Sequence, residues 1–234
     1  MKMKLSTKLI SSFLIISFII VVVGLLGYIF LEKTNQKLEN IGLNRIPDLK
    51  LLLLLNKERM VIRSQTLAVF EFETLTNVAE KYKKILDQRQ NSWKKIDEMW
   101  EAFLKIPRQS EKGKELVAKI KPEYQAWREI YTHLDEIIER LSKTNDLNQK
   151  KILYKEYRDL VAKMVPISDQ MGKTFEELSD NNIKNTNKMI DEGIEEGHNA
   201  EIYLIILVLI GFIAALVLGI LISRNISTKI IEII

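Results

Sequence analysis

Arg59 and Arg63 stand one helical turn apart, and neither has an acid three or four residues away on either side. Like charges at that spacing repel by about a few tenths of a kcal/mol in an isolated helix, so something else must neutralise them. A guanidinium fork pairs the two oxygens of a carboxylate, and a small carboxylate ligand would serve. Acids on a neighbouring helix would serve equally well. The surrounding segment sharpens the choice: over residues 45–70, Arg45, Lys50, Lys57, Arg59 and Arg63 meet only Asp48 and Glu58. If the two apolar runs that flank this region end level at residues 31 and 202, Arg59 comes near Thr174 and Arg63 near Gln170. Asp169 and Glu177 then lie within a turn, which makes interhelical ion pairs the stronger reading. Arg59, Arg63, Gln170 and Thr174 form the candidate ligand-binding set.

No catalytic constellation accompanies them. There is no Cys, which removes disulfides, thiolate metal sites and cysteine nucleophiles. His133 and His198 are far apart in sequence and read as ordinary bundle residues. Adjacent acids such as Glu176-Glu177 and Glu195-Glu196 point in different directions on a helix. The glycines are scattered singly and make no phosphate-cradling loop. The expectation is a protein without enzymatic activity, cofactor or metal.

Two apolar runs frame the positioning elements. Leu9 to Leu31 and Ile202 to Ser223 are 23 and 22 uncharged positions, bounded by Lys8, Glu32, Glu201 and Arg224. At 1.5 Å per residue each is about 33–35 Å long, enough to cross a hydrocarbon core of about 30 Å. The first run is too long for a cleaved signal and lacks a small-residue cleavage site, so it reads as an anchor. The formal net charge of +4 is carried wholly by Lys2, Lys4, Lys8, Arg224, Lys229 and Glu232, outside the runs. Positive flanks face the cytoplasm, so residues 1–8 and 224–234 are expected inside and 32–201 outside. The basic pI comes from these flanks and implies no nucleic-acid partner.

Between the runs the period is helical. Trp93, Ile96, Trp100, Phe103 and Leu104 recur at three- and four-residue steps. So do Leu116, Ile120, Tyr124, Trp127, Tyr131, Leu134, Ile138 and Leu141, and then Leu153, Tyr157, Leu160, Met164, Ile167, Met171, Phe175 and Leu178. Polar breaks at 74–77, 106–110 and 142–146 divide the region into helices over 32–73, 78–105, 111–141 and 147–201. Thr or Asn is expected to cap the second helix and Ser110 the third. Short connections predict an all-α, up-down-up-down antiparallel four-helix bundle whose outer helices continue into the two spans. The outer helices differ by about a dozen residues, which implies an unpaired tip or a shifted boundary. Pro47 and Pro166 fall inside the first and fourth helices and are expected to bend them, while Pro122 falls near the first turns of the third.

Leu49 and Leu51 to Leu55 make the first helix apolar almost all round. Either it is unusually deep in its own core, or it faces a second copy along a two-fold axis. The second reading predicts a homodimer with Leu49, Leu52 and Leu53 at the interface.

This layout resembles the N-terminal half of a methyl-accepting chemotaxis protein with a four-helix-bundle sensor. The resemblance rests on Met3-Lys4-Leu5-Ser6-Thr7-Lys8-Leu9, the two-span order, the helical outer region and the exit Leu221-Ile222-Ser223-Arg224-Asn225-Ile226-Ser227-Thr228-Lys229-Ile230. That exit is similar to the start of a HAMP relay, with Lys229 where the family usually has Pro. The resemblance implies a membrane-embedded sensory receptor that relays helix movement inward, with ligand-binding arginines on its first sensor helix. It also implies a cytoplasmic kinase or adaptor reached only through a region beyond these residues, so that the chain reads as the front end of a longer receptor. Histidine kinases and diguanylate cyclases share the front-end layout, and a ligand-free structural membrane protein is the remaining alternative.

Overall fold

The computed structural model describes residues 5–231, with side chains at 5, 225 and 228–231 left aside. Lys2, Lys4 and Glu232, and the Lys229 side chain, on which part of the charge argument rests, lie outside the described residues. The described chain is all helical. Five α-helices follow in order: α1 (Leu5–Asn40), α2 (Ile46–Ala68), α3 (Ala79–Lys105), α4 (Glu111–Lys143) and α5 (Leu147–Ile231).

Local chemistry sets the joints. Pro47 has no N–H, and its ring would clash with the carbonyl of Leu43 in a regular helix. The backbone relieves this with a π-helical turn at Ile41–Arg45, which leaves Pro47 in the opening positions of α2. Pro47 therefore sits at a joint between two helices, not within one. Pro166 is inside α5, and Pro122 lies three turns into α4, deeper than its sequence position suggested. Ser110 caps α4 by accepting the Gly113 N–H at 3.1 Å, as the polar break implied. The cap of α3 differs from expectation: Val78 holds the N-cap position with no side-chain bond. Asn77 instead takes a left-handed backbone (φ 57°), a conformation Asn tolerates, and so turns the chain into α3.

The chain divides into two compact units: Ile41–Thr186, and the residues up to Asn40 together with those from Asn187. The first of these is narrower than 32–201. Its core is built from the stripes read in the sequence. Leu116, Ile120, Tyr124, Trp127, Tyr131, Leu134, Ile138 and Leu141 of α4 are all buried, as are Leu153, Tyr157, Met164, Met171, Phe175 and Leu178 of α5. On α3 the buried face is Tyr82, Ile85, Ile96 and Phe103, whereas Leu104 is exposed. Trp93 meets Trp127 edge-on at 4.9 Å, and Trp100 stacks on Tyr124 at 4.0 Å.

Cross-links between helices show their directions. Between α3 and α4, Arg89 pairs with Asp135, Asp97 with Arg128, and Trp100 with Tyr124. Between α4 and α5, Lys119 meets Glu177, Tyr131 meets Met164 and Arg140 meets Glu156. Between α2 and α5, Asp48 meets Asn182, Arg63 meets Asp169 and Tyr157 meets Thr66. In each pair, numbers rise on one helix as they fall on the other, so these neighbours run antiparallel. The opening residues of α5, Leu147 to Ile152, contribute no buried side chain. That exposed tip of six residues accounts for part of the extra length of the last helix.

At the α2 start a buried polar cluster gathers three segments. The Asp48 carboxylate accepts from Arg108 and, at 2.7 Å, from Nδ2 of Asn182, while Arg45 donates to Gln109 at 2.9 Å. In the other unit, Lys37 of α1 pairs with Glu196 of α5 at 3.0 Å. Further along, a Cβ added at Gly211 would stand 3.0 Å from Ile19, a close approach that a small residue allows. Both α1 and α5 are long and apolar enough to cross a membrane.

Candidate ligand-binding site

The two arginines of α2 reach α5, and they do so differently. Arg59 is buried. Its Nη1 donates to the Ser168 carbonyl at 2.6 Å and to Ser168 Oγ at 2.9 Å, and its Nε donates to Asn56 Oδ1 at 2.9 Å. The guanidinium lies against Gly172, which has no side chain to obstruct it. Burial, and then the neighbouring Arg63 charge, hold Arg59 below the ordinary arginine pKa. Arg63 lies nearer the surface and pairs with Asp169, their side chains 21% and 50% exposed. The carboxylate that sequence reasoning placed within a turn of Arg63 is thus its partner.

Gln170 and Thr174 are not gathered around the arginines. Gln170 is exposed and donates to Glu123 of α4 at 3.1 Å. Thr174 is fully buried, and its hydroxyl donates back to the Gln170 carbonyl at 3.3 Å. The offset is one of register. Arg59 meets Ser168, six residues before the expected level, and Arg63 meets Asp169, one before, so the equal-height register does not hold along the α2–α5 seam. Of the leucines, Leu53 is 59% exposed and Leu49 half-buried, but Leu52 is completely buried in its own chain. Leu52 therefore belongs to the core and not to a contact with a second copy. Only one face of α2 was needed to fill that core.

Against known families, the model described as the Tar ligand binding domain homologue matches residues 1–177. The chain belongs to that family. The match covers α1 to α4 and the opening part of α5, which includes both arginines and the residues facing them. A Tar ligand binding domain homologue is a sensor of the chemoreceptor type, and two helices able to cross a membrane fit a membrane receptor. Neither the curated proteins nor the solved structures gave a match.

Among the described residues, the most buried charge of this Tar-type domain escaped sequence reasoning. Arg89 is fully buried among α2, α3 and α4, where it donates to Asp135 and to Thr66 Oγ1. Burial lowers its pKa from the ordinary value. Tyr157 donates to the Thr66 carbonyl at 3.0 Å, which extends the network to α5. A signal was available: Tyr82, Ile85, Arg89, Ser92 and Ile96 keep the helical step, and that stripe carries Arg89 inward.

Proposed function

We propose that this chain is the sensing and membrane-crossing front of a chemotaxis-type receptor. In this reading residues 9–31 and 202–223 cross the membrane and both ends face the cytoplasm. Residues 32–201 form an up-down-up-down four-helix bundle outside, and 224–234 begin a HAMP-like relay toward a cytoplasmic kinase or adaptor. The family match is the observation that carries it. The antiparallel cross-links, the two apolar helices and the unbroken run of α5 from Leu147 to Ile231 support it.

The receptor works as a homodimer through α2. Ile46, Leu53, Met60 and Leu67 recur every seven residues and are all exposed, the seam that a second helix would cover. The ligand is a small carboxylate that exchanges with Asp169 on Arg63, while Arg59 holds the α2–α5 spacing from within. Binding that favours one packing of α5 over another would move this helix by about 1–2 Å, as packed helices do in such transitions.

A second reading has its own support. Among the described residues, Arg59 and Arg63 are held by contacts within the chain, as befits a purely structural seam. Calorimetry of the full chain in lipid nanodiscs, titrated with succinate, separates the two. The receptor reading expects a saturable heat that Arg63→Ala removes; no heat at millimolar succinate leaves the structural seam.

A further inference from the structure

A groove of about 580 Å³ opens on the α3–α4 face, away from the arginines of α2. Trp93 forms part of its wall, and four carboxylates, Asp97, Glu98, Glu101 and Asp135, line it against Lys94 and Arg128. The lining is therefore net acidic. One cation already sits there: the Arg128 guanidinium lies 3.9 Å from the centre of the Trp93 ring, and its Nη2 donates to Asp97 at 3.2 Å. An aromatic face with a carboxylate beside it is the chemistry that holds a desolvated ammonium or guanidinium. The internal occupant is releasable, because the Arg128 and Asp97 side chains are 34% and 51% exposed and such pairs are weak.

We propose that this groove is a second binding site, one that takes organic ammonium ions. The ligand's charge replaces the Arg128 guanidinium over Trp93 and against Asp97, and Glu101 receives a second ammonium where the ligand carries one. The site is also connected to the core. Asp135 both lines the groove and accepts from buried Arg89, which in turn donates to Thr66 of α2. A cation that draws on Asp135 weakens the only ion pair of Arg89 among the described residues, and so bears on the packing of α2, α3 and α4. The site is independent of the carboxylate reading at Arg63.

The test uses the full chain in nanodiscs with 1,4-diaminobutane as probe, read by tryptophan fluorescence and by calorimetry. Sodium chloride at matched ionic strength is the control for screening. The expected result is saturable binding absent from the control, weakened about tenfold by Asp97→Asn or Glu101→Gln, as loss of an ammonium–carboxylate contact implies. Arg128→Ala removes the internal competitor and should tighten binding about threefold or more. Asp97 and Glu101 are exposed and Arg128 is half-buried, and circular dichroism checks that each variant is folded. Changes equal to those in sodium chloride, or unaltered or weaker binding in folded Arg128→Ala, overturn the proposal.

Discussion

A Cβ at position 172 would stand 2.6 Å from Nη2 and 2.9 Å from Cζ of Arg59. The glycine of α5 and the arginine of α2 thus occupy one space, and the α2–α5 seam closes because one of them has no side chain. Gly172→Ala should force the guanidinium off Ser168. Overpacking of this kind costs about 1–3 kcal/mol. Gly197, on the same helix, has nothing within 4 Å of its Cβ position. Gly197→Ala should therefore stabilise α5 by about 0.5–1 kcal/mol through helix propensity. Thermal melting of the two variants should move Tm in opposite directions.

Two of the bundle's ion pairs should differ sharply in value. Arg63 and Asp169 are partly solvated, so Arg63→Ala is expected to cost no more than about 1 kcal/mol. Arg89 has a side chain only 1% exposed, and removing it takes a donor from Thr66 Oγ1 and leaves a partly buried Asp135 with the long Trp93 Nε1 bond at 3.4 Å. Breaking a buried pair from one side costs about 3–5 kcal/mol, so Arg89→Ala should lower the urea midpoint much further. Equal midpoints for the two variants would contradict the burial of Arg89.

Alkaline pH should unfold the bundle through its tyrosines. Burial pushes the Tyr157 phenol up to about 12, against the opposing pull of Arg89, and burial also raises Tyr82, Tyr124, Tyr131 and Tyr154. The unfolded chain ionises these phenols near 10 and then binds fewer protons than the fold. Stability is accordingly intact below pH about 10 and is lost as pH rises toward 12. Tyr157→Phe should flatten that loss while costing about 1 kcal/mol at neutral pH, the worth of its bond to the Thr66 carbonyl. Ultraviolet titration of phenolate alongside helix content measures both.

The absence of cysteine makes the dimer proposal simple to test. Leu53→Cys places one thiol on the exposed face of α2, and oxidation of the variant in membranes should produce a covalent dimer. Leu52→Cys, one residue away, points into the core and should produce none. A monomer in both cases removes α2 as the seam.

Much of this fold was legible in one dimension. The α4 stripe from Leu116 to Leu141 is buried at every position read from the sequence, because a helix with a single apolar face has only one way to turn. The breaks at 106–110 and 142–146 were equally plain, since Pro107, Ser110 and Asp146 act on their own backbone. The α2 start was less so. Pro47 announces a disturbance, but a kink and a π-helical turn are both responses to a missing N–H.

The sequence by itself determined where helices run, which of them are apolar enough for a membrane, and that Arg59 and Arg63 need neutralising. Those are local properties, decided by 3.6-residue periodicity and by chemistry within a few positions of the chain. Only the tertiary structure decided that Ser168 and Asp169 answer the two arginines, that Leu52 turns inward while Leu53 stays outside, and that Arg89 finds Asp135. Each of these partners is at least 46 residues distant or differs by one 100° step around a helix. Sliding one helix past another by a single turn would exchange every such partner while leaving the apolar stripes intact, so packing chose among registers that the pattern alone leaves equivalent.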